Sequence, residues 1–591
     1  MRNRYFPGHG VGFLLVLMTM LITPVVNAAG DTSDSKTDLM QKVRDRGYIP
    51  VIVQMQVPHI ETLTADCIRY SGPDTDLREP QKSMEADLRL EAAIRNVAEE
   101  VLAALAGSEY EIHHTYSTLP LLALHVTPQS LGQLQASPQV VRIAEDRLTR
   151  IPEYRVTAPS SPETSSPMMA EAVELIRADS AWLAGYTGAG QYVAVLDSGI
   201  RRAHEAFTGK VVVEQCYSLK GNCPNGENSM SGPGAARMHP PQYYGYDHGT
   251  HVSGIATGND GGSFRGVAPD ANLINIQVFS RFSADECNSN EPCVMSYNSD
   301  QVKALEFVFS KRNQLRIASV NMSLGGGEYD SAVECDMDNP YVKQAIDNLR
   351  AAGIPTVISS GNEALCNGIS APACVSSAIS VGATTKGDQE ASFSNFHPQL
   401  LDFFAPGQSI RSATGGSNSS YQYWGGTSMA APMLAGGFAL FRQYSRDVPL
   451  DELLTALHYS GQGVLTKCQT GVEKPRINVG EALMSLMSIA PPVNIQGSQS
   501  NNQSLMQTEY INTLTWEANP LNNDKNVVAY RVYQMVDEDK VLLAEVDGAT
   551  FAFQHRRVGK RNEMRYAFTS VDGEGEESGP SVFVLKFGVE Q

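Results

Sequence analysis

The sequence predicts an α/β protein with a mostly parallel sheet and helices on both faces, preceded by a small α+β module and followed by a β-sandwich. Between about 170 and 487, near-continuous apolar runs alternate with amphipathic helical patterns, which is typical of parallel strands covered on both faces. Residues 47–150 have the order βαββαβ of a ferredoxin-like module. Residues 490–591 contain short alternating strands and regular turn signals without a helical pattern, which indicates a sandwich.

The first 28 residues have the pattern of a secretory signal peptide. Arg2 and Arg4 form a basic start, residues 11–22 are apolar, and small residues precede a cleavage site at Ala28. The alternative is a membrane anchor, but the apolar run is shorter than the ~20 residues that span a bilayer. We therefore expect a secreted product, either extracellular or retained in the periplasm or at the cell surface, with no membrane attachment after cleavage. Residues 29–46 are polar and predict a linker.

The α+β module at 47–150 is predicted element by element. GYIPVIVQMQV indicates a strand, and residues 83–106 have apolar side chains at the three-to-four spacing of a helix. YEIHHTYSTLPLLALHVT then predicts two strands, PQSLGQLQASP a short helix, and VVRIAEDRLTRI a last strand. Residues 151–169 are rich in proline and serine, which predicts an exposed linker and places a maturation cleavage site in it.

Charge and cysteine content narrow the class of protein. The formal net charge of −19 argues against nucleic acid or an anionic membrane as a partner. Export permits disulfides, and three cysteine pairs are close in sequence: 216 with 223, 287 with 293, and 366 with 374. We hypothesise that these pairs are bridged, which leaves Cys335 for Cys468. Metal binding is the weaker alternative because the spacing contains no tight CxxC arrangement.

The predicted strands of the α/β region are five apolar runs: QYVAVLD, ANLINIQVF, RIASVNMSL, IPTVISSGN and AISVGAT. Helical patterns such as DQVKALEFVFSKRNQ and PYVKQAIDNLRAAG lie between them, which favours βαβ units and a parallel sheet. In such sheets, functional residues collect at the carboxyl ends of the strands.

Ser428 lies among small residues in YWGGTSMAAPMLAGG. If a helix begins near it, Pro432 is in or just beyond the first turn, where a missing amide costs least. The helix start then directs partial positive charge at the hydroxyl, and the small neighbours admit another backbone. The alternative is a serine that only caps a buried helix.

Two further motifs supply an acid and a base. The strand QYVAVLD ends in Asp197, which alone could be a turn or cap residue, although a buried carboxylate needs a partner. DHGTHVSGIATG contains His248 and His251, which could ligate zinc or sit in a core, although HExxH and a third ligand are missing. With Ser428 they give the elements of nucleophilic catalysis, because serine needs a base and the base needs a carboxylate.

Asn362 follows the strand IPTVISS, as a turn residue or, beside an active serine, as an amide donor to an oxyanion. The order Asp, His, Ser is that of subtilisin. The motifs VAVLDSGI, HGTHVSGIATG, VNMSLGG, SSGNEA and GTSMAAP, with ASFSN and DFFAPG, resemble those of the subtilisin-like serine proteases, or subtilases, over roughly 175–487. The resemblance implies a subtilisin-like catalytic domain at 170–487, with Ser428 as nucleophile, His248 as general base and acid, and Asp197 as orienting carboxylate.

The same resemblance assigns further sites. The Asn362 amide and the Ser428 backbone N–H would form the oxyanion hole, and Ser323, Leu324, Gly325 and Gly326 with Ser359, Ser360 and Gly361 would border the substrate cleft. Residues 47–150 would be an inhibitory propeptide that acts as the chain's own intramolecular inhibitor. No cofactor is needed for the chemistry. Calcium commonly stabilises this family, and Asp260, Asp285 and Asp338 are acidic candidates, but no ligand is assigned.

The implied function is a secreted serine endopeptidase, made as a zymogen, that cleaves proteins or peptides. The tail at 490–591 resembles a fibronectin type III domain in Trp516, Tyr530 and YAFTSVDGEGEESGPS. Because such domains often mediate contacts, the alternative function is a catalytically silent secreted binding or adhesion protein on a protease scaffold. The presence of all three triad residues favours the enzyme.

Overall fold

The computed structural model describes residues 32–69, 80–156, 168–468, 472–487, 489–503, 508–519, 522, 525–536, 539–558 and 563–586. The predicted signal peptide, most of the predicted 151–169 linker and a few tail positions lie outside the described residues. Among the described helices, none combines the length and apolar character needed to cross a membrane.

The N-terminal module is a four-stranded antiparallel sheet with helices. Its elements are α1 (Thr32–Arg46), β1 (Ile49–Met55), α2 (Ile60–Arg69), α3 (Pro80–Ala103), β2 (Tyr110–Thr115), β3 (Leu121–Val126), α4 (Pro128–Ala136) and β4 (Val140–Glu145). The strand order is β2-β3-β1-β4. Residues 32–46 were expected to be a linker and instead form α1, because Leu39 and Val43 pack into the core of this module.

A connecting segment, residues 148–156, leads from this module towards the rest of the chain. It contains β5 (Leu148–Arg150) and β6 (Arg155–Val156). Both short strands pair with strands of the next domain, so this segment is held at both ends.

The strands of the α/β domain are β7 (Tyr192–Asp197), β8 (Val212–Tyr217), β9 (Ser229–Ser231), β10 (Asn272–Gln277), β11 (Ser280–Phe282), β12 (Cys293–Tyr297), β13 (Ile317–Met322), β14 (Gly326–Tyr329), β15 (Thr356–Ser359), β16 (Ile369–Ala371), β17 (Ile379–Thr384), β18 (Phe403–Pro406), β19 (Ile410–Ala413), β20 (Tyr421–Gly425), β21 (Gln462–Leu465) and β22 (Glu473–Arg476). Ten of them form one sheet in the order β21-β22-β18-β17-β15-β13-β7-β10-β8-β9.

The large sheet is mixed, with antiparallel edge strands and a parallel centre. The neighbouring pairs from β22 to β8 are parallel, whereas β21 and β9 pair antiparallel at the two edges. The five apolar runs singled out in the sequence form its contiguous centre, β17-β15-β13-β7-β10. Since β7, β13 and β15 are parallel neighbours, the residues that follow them meet at one edge of the sheet.

The helices of this domain are α5 (Met168–Leu175), α6 (Ala178–Leu183), α7 (His248–Thr257), α8 (Ala284–Cys287), α9 (Asn298–Lys311), α10 (Ala332–Asp338), α11 (Pro340–Ala351), α12 (Thr427–Tyr444), α13 (Leu450–Ser460) and α14 (Val479–Leu486), with a 3₁₀ turn at Glu205–Phe207. The helix α12 is buried along most of its length and packs against α7 and the central strands.

The C-terminal part consists of two antiparallel sheets. Its strands are β23 (Val493–Gln503), β24 (Thr508–Glu517), β25 (Val527–Val536), β26 (Asp539–Asp547), β27 (Ala552–Val558), β28 (Glu563–Asp572) and β29 (Ser581–Lys586). The sheets have the orders β23-β24-β27 and β26-β25-β28-β29. Leu514 and Trp516 of one sheet share a core with Tyr530, Tyr566 and Phe568 of the other.

The structure contains four disulfides, and two of them differ from the predicted cysteine pairs. Bridges between Cys216 and Cys223 and between Cys287 and Cys293 agree with the hypothesis. The other two predicted pairs are wrong, since the observed bridges are Cys335–Cys374 and Cys366–Cys468. The loop after β15 carries Cys366 towards the strand pair at 462–476, while α10 brings Cys335 to Cys374, and these folded contacts are not visible in sequence spacing. Cys67 is a buried thiol in α2, outside the four bridges.

Candidate active site

A buried carboxylate and a buried imidazole meet at the edge of the large sheet. Asp197 is the last residue of β7 and His248 the first residue of α7. The Nδ1 atom of His248 lies 2.9 Å from Oδ1 and 3.1 Å from Oδ2 of Asp197, and both side chains are fully buried. Because a carboxylate only accepts, Nδ1 carries the proton in this arrangement and Nε2 is left as the basic nitrogen.

Gly249 permits this close approach of helix and strand. A Cβ atom at this position would lie 2.4 Å from the Gly199 carbonyl oxygen and 3.0 Å from the Asp197 Cβ. Any larger residue would therefore push α7 away from the end of β7 and lengthen the Asp197–His248 contact.

Ser428 is the second residue of α12 and is fully buried. Its Oγ and the Nε2 of His248 are both buried atoms without a hydrogen-bond partner among the described residues. The structure thus joins Asp197 to His248, while the hydrogen bond expected between His248 and Ser428 is not formed. Each of these atoms belongs to a residue in the first turn of its helix, and the two helices, α7 and α12, pack against each other. Unpaired buried polar atoms are uncommon and often mark reactive groups.

Pro432 has a more specific role than the sequence suggested. It is the sixth residue of α12, one turn beyond the amides that lack partners. Its missing N–H would have bonded the carbonyl of Ser428, four residues earlier. The Ser323 hydroxyl donates to that carbonyl oxygen at 3.0 Å and replaces the lost bond. Ser323, which was predicted to border the cleft, therefore stabilises the backbone of Ser428, the predicted nucleophile.

The amide of Asn362 is held in a fixed orientation. Its Oδ1 accepts hydrogen bonds from the Thr427 backbone N–H and from the Thr427 hydroxyl, each at 2.8 Å. The Nδ2 group therefore points away from Thr427, and it donates to the backbone carbonyl of Glu153 at 2.8 Å. The predicted oxyanion donor thus contacts a peptide carbonyl of the same chain.

The connecting segment passes across this edge of the sheet. Arg150 and Gly325 exchange two backbone hydrogen bonds of 3.0 and 2.9 Å, and β5 pairs with β12 on its other side. After Glu153, β6 pairs with β20, where Arg155 lies opposite Gly425 and Val156 opposite Trp424. The segment therefore enters along Gly325, presents the Glu153 carbonyl to Asn362, and leaves along β20.

Of the other predicted cleft residues, some contact the connecting segment and others make contacts only within the α/β domain. Leu324 is fully buried in the same apolar cluster as Ile151 of the connecting segment. Gly326 pairs with Ala371 at the rim. Ser359 is buried in β15, and the Ser360 hydroxyl donates to the Asn395 carbonyl at 3.1 Å. No hydrogen bond from the connecting segment to Ser359, Ser360 or Gly361 is present in the described part of the chain.

Gly361 supports Asn362 through its conformation. Its φ of +107° is in the region that favours glycine, and a Cβ atom would lie 2.2 Å from the Asn395 amide nitrogen. Its backbone N–H donates to the Thr427 hydroxyl at 3.2 Å. The neighbouring Glu363 carboxylate accepts from Asn395 at 2.6 Å.

The zinc alternative for the two histidines gains no support. The His251 Nε2 lies 3.2 Å from the Gln422 carbonyl, and its ring stacks on Trp424 with centroids 4.2 Å apart. Burial lowers the pKa of His251 to about 3, so this ring is neutral. Within the described ranges, the cluster of three metal-ligating side chains comprises Glu111, His113 and His125 of the N-terminal module and neither of these two histidines.

The three acidic calcium candidates lie apart from one another in contacts of other kinds. Asp260 accepts backbone N–H bonds from Gly262 and Phe264 in a turn. Asp285 lies in the one-turn helix α8. Asp338 accepts from Arg147 at 3.2 Å. Calcium binding remains a prediction without assigned ligands.

Sequence reasoning missed an aromatic group around His248. The Tyr154 ring stacks on Trp424 with centroids 4.3 Å apart and on Tyr244 at 5.2 Å, and lies 5.4 Å from the His248 ring. Trp424 stands four residues before Ser428, within YWGGTSMAAPMLAGG, and this proximity in sequence is the signal that could have identified it. Tyr244 and Tyr154 carry no motif that would have revealed them.

The chain is similar in sequence to known proteins over this region. The model of the subtilase family matches residues 188–457, a range that contains Asp197, His248, Asn362 and Ser428. The chain is 32% identical over 338 residues to an extracellular serine proteinase of Thermus sp. (strain Rt41A), which covers 57% of this chain and 70% of that protein. It is 30% identical over 354 residues to an alkaline protease of Alkalihalobacillus alcalophilus, covering 60% and 75%.

Among solved structures, proteases from Pseudoalteromonas arctica PAMC 21717 match with a TM-score of 0.44 and 22% identity. This match covers 54% of the present chain and 98% of the other.

Proposed function

Since this chain belongs to the subtilase family of serine proteinases, we propose that it is a secreted endopeptidase, made as a zymogen, that acts through a Ser428 acyl-enzyme. The family acts on protein and peptide substrates. One observation carries the residue assignment: the Asn362 amide holds a peptide carbonyl at a site where a buried hydroxyl and an imidazole oriented by a buried carboxylate have no other partners. These are the groups that acyl transfer requires.

The proposed reaction begins when the Ser428 Oγ attacks the substrate carbonyl carbon and His248 Nε2 takes the hydroxyl proton. Negative charge on the carbonyl oxygen is stabilised by the Asn362 Nδ2 and the Ser428 backbone N–H. The carbon–nitrogen bond then breaks, and the leaving amine takes the proton from His248. Water repeats the sequence on the acyl-enzyme and releases the acid. Asp197 keeps Nδ1 protonated and stabilises the imidazolium in each step.

Residues 47–150 are proposed to be the inhibitory propeptide. Polar contacts between this module and α9 support that role. His114 lies 2.7 Å from Asp300 with both side chains buried, and the Tyr116 hydroxyl donates to the Ser299 carbonyl at 2.9 Å. The backbone amides of Ser117 and Thr118 both donate to the Glu306 carboxylate at 2.6 Å. A module docked in this way would hold the connecting segment across the site.

Substitution of Ser428 tests the catalytic assignment. Ser428→Ala should abolish labelling by a fluorophosphonate probe, lower peptidase activity by about 10⁶-fold, and leave the precursor uncleaved. His251→Gln is a useful comparison, since this histidine takes no part in the proposed reaction. A wild-type protein that folds but neither takes up the probe nor cleaves peptides would instead be the silent binding protein.

Secretion is proposed from three observations of different kinds. The first 28 residues have the pattern of a signal peptide, four disulfides are present, and the relative from Thermus is named as extracellular. Expression with and without residues 1–28, followed by assay of the culture fluid, tests this assignment. Equal activity outside the cells in both cases would reject it.

The C-terminal part is proposed to be a fibronectin type III-like spacer that stabilises the enzyme. A turn of this part packs closely on the α/β domain, because a Cβ atom at Gly579 would lie 1.8 Å from the Tyr186 hydroxyl oxygen. The Lys525 ammonium also donates to the Met487 backbone carbonyl at 3.3 Å, across the boundary between the two parts. Deletion of residues 490–591 should therefore lower thermal stability. A selective loss of activity on fibrous protein, with soluble substrates unaffected, would indicate substrate binding instead.

A further inference from the structure

The chain presents one of its own peptide bonds to the proposed catalytic groups. The Glu153 carbonyl accepts from the Asn362 amide, so the bond that follows this carbonyl, Glu153–Tyr154, is the one placed for attack. The pairing of Arg155 with Gly425 fixes the residues beyond it. Tyr154 is therefore the residue immediately after the bond that would be cut. This bond lies inside the 151–169 linker, where the sequence predicts maturation.

The side chains on the two sides of this bond have different surroundings. Glu153 is exposed, whereas Tyr154 is half-buried between domain residues. The planes of Tyr154 and Trp424 differ by 24°, and those of Tyr154 and Tyr244 by 18°, so both contacts are stacked. The Tyr154 backbone N–H also donates to the Tyr244 hydroxyl at 3.2 Å. Most of the side-chain contact at the cleavage point is thus made by the residue that follows it.

The Trp424 wall of this aromatic slot is rigid. Trp424 is 2% exposed, and its Nε1 donates to Gln422 at 3.1 Å. Behind it the His251 ring lies parallel to within 6°. Trp424 therefore offers a fixed flat face to the position occupied by Tyr154.

The Tyr244 wall is held by the segment around the Cys287–Cys293 bridge. The Tyr244 N–H donates to the Pro292 carbonyl at 2.8 Å, and its own carbonyl accepts from Val294 at 3.2 Å. Both partners adjoin Cys293, which is bridged to Cys287. Gly245 has a φ of +85° and its missing Cβ leaves room for Ile151, so the backbone turns directly after the aromatic residue. The bridged segment and Gly245 thus hold the Tyr244 ring against Tyr154.

We propose that the slot formed by Trp424 and Tyr244 selects an aromatic residue immediately after the cleaved bond, and that Glu153–Tyr154 is the first bond cut. The inference rests on the proposed function, because it assigns a specificity to the same site. A stacked aromatic pair stabilises by about 0.5–1.5 kcal/mol beyond its buried area. Two such contacts give roughly a tenfold or larger preference in kcat/KM for an aromatic residue over alanine.

The first experiment uses the mature full enzyme and peptides based on the sequence RIPEYRV, with tyrosine, phenylalanine, tryptophan, alanine or glutamate at the fifth position. We expect cleavage after glutamate, with kcat/KM roughly tenfold or more higher for the three aromatic peptides. Equal values for alanine and the aromatic residues would overturn the inference. Fluorophosphonate labelling of a separate sample of the same preparation distinguishes this result from failure of the proposed function. A protein that takes up no label fails the proposed function, whereas a labelled one without aromatic preference fails only the inference.

Substitutions at Tyr244 test whether this side of the slot confers the preference for an aromatic residue. Tyr244→Ala should reduce the preference for aromatic residues to about threefold or less, and Tyr244→Phe should restore it because the ring is kept. Tyr243→Ala is the matched control in the same loop, and it should keep the preference. An undiminished preference in Tyr244→Ala would overturn the role of this residue.

Maturation gives an independent readout. N-terminal sequencing of the mature protein should begin at Tyr154, and the Tyr154→Ala precursor should mature at least several-fold more slowly than wild type. A mature protein whose initial autocleavage product begins elsewhere would overturn the assignment of the first bond.

Discussion

At the scale of single residues, the site depends on one amide whose orientation is set by a neighbour. Asn362 gives both lone-pair directions of its Oδ1 to Thr427, and this leaves Nδ2 directed at the Glu153 carbonyl. Thr427 directly precedes Ser428, so the residue that orients the proposed oxyanion donor is covalently attached to the proposed nucleophile. A shift of α12 would therefore move the donor and the nucleophile together.

Removing the donor should lower turnover more than binding. Asn362→Ala should reduce kcat by about 10²–10³-fold with little change in KM, because the amide acts on charge that develops in the transition state. Thr427→Val keeps Asn362 but removes its hydroxyl partner, and we expect a smaller loss of about tenfold. Steady-state kinetics on one peptide substrate measures both. A Thr427→Val loss as large as that of Asn362→Ala would mean that the helix start, and not the amide, had been disturbed.

The Ser428 carbonyl offers a second prediction at this scale. Ser323→Ala removes its hydrogen-bond donor and should lower the free energy of unfolding by about 1–3 kcal/mol, since a buried acceptor is left unpaired. Adding Pro432→Ala supplies a helical N–H four residues later and should recover part of this loss. Urea unfolding of each variant in a Ser428→Ala background, where autolysis is prevented, gives the values. Additive effects of the two substitutions would show that they do not share the carbonyl.

At the scale of elements, the sequence predicted what periodicity and local motifs encode. The five apolar runs form adjacent strands, and from their order one could place Asp197 and Asn362 at one sheet edge. The pairing of Cys366 with Cys468 could not be predicted, because it depends on where two loops lie after folding. The helix α1 was missed because its opening turns are polar. The aromatic group around His248 was missed because its three rings, Tyr154, Tyr244 and Trp424, come from unrelated stretches of chain.

The long-range disulfide should contribute more stability than a short one. The Cys366–Cys468 bridge spans 102 residues, whereas Cys287–Cys293 spans 6. Loop-closure entropy predicts a loss of about 4–5 kcal/mol for the double serine variant of the first and about 2 kcal/mol for that of the second. Guanidinium unfolding of the Ser428→Ala precursor tests the order, and non-reducing peptide mapping tests the pairs. A larger loss from the short bridge would contradict the entropic account.

At the scale of the whole molecule, the N-terminal module and the connecting segment both contact the α/β domain. The module docks on α9, and the connecting segment then occupies the proposed cleft up to β20. Under the proposed function, inhibition by this module would have two parts, one made by the docked surface and one by the chain in the cleft. Cleavage of Glu153–Tyr154 would remove the covalent link and leave the docked surface as the remaining restraint.

A carboxyl at the docked surface should make this restraint depend on pH. Asp146 follows β4, and its Oδ1 accepts from the Ser299 N–H at 3.0 Å, while its Oδ2 is buried without a hydrogen-bond partner among the described residues. Burial raises the pKa of Asp146 to about 7. The charged and titratable groups that face it are Asp300, Tyr116 and Tyr297, and Asp300 is paired with His114.

The direction in which stability changes with pH follows from the raised pKa of Asp146. The folded, docked state binds the Asp146 proton more tightly than the unfolded state, whose carboxyl titrates near 3.9. The unfavourable contribution of this group to folding stability therefore grows as pH rises from about 4 to about 7, by at most ~1.4 kcal/mol per pH unit, and is complete above that range.

Asp146→Asn should stabilise the Ser428→Ala precursor relative to its parent at pH 8.5 and have little effect at pH 4.5. Thermal unfolding at a series of pH values measures the difference, with the exposed Asp45→Asn as control. A stability gap between Asp146→Asn and its parent that stays constant from pH 4.5 to 8.5 would show that Asp146 does not couple docking to pH.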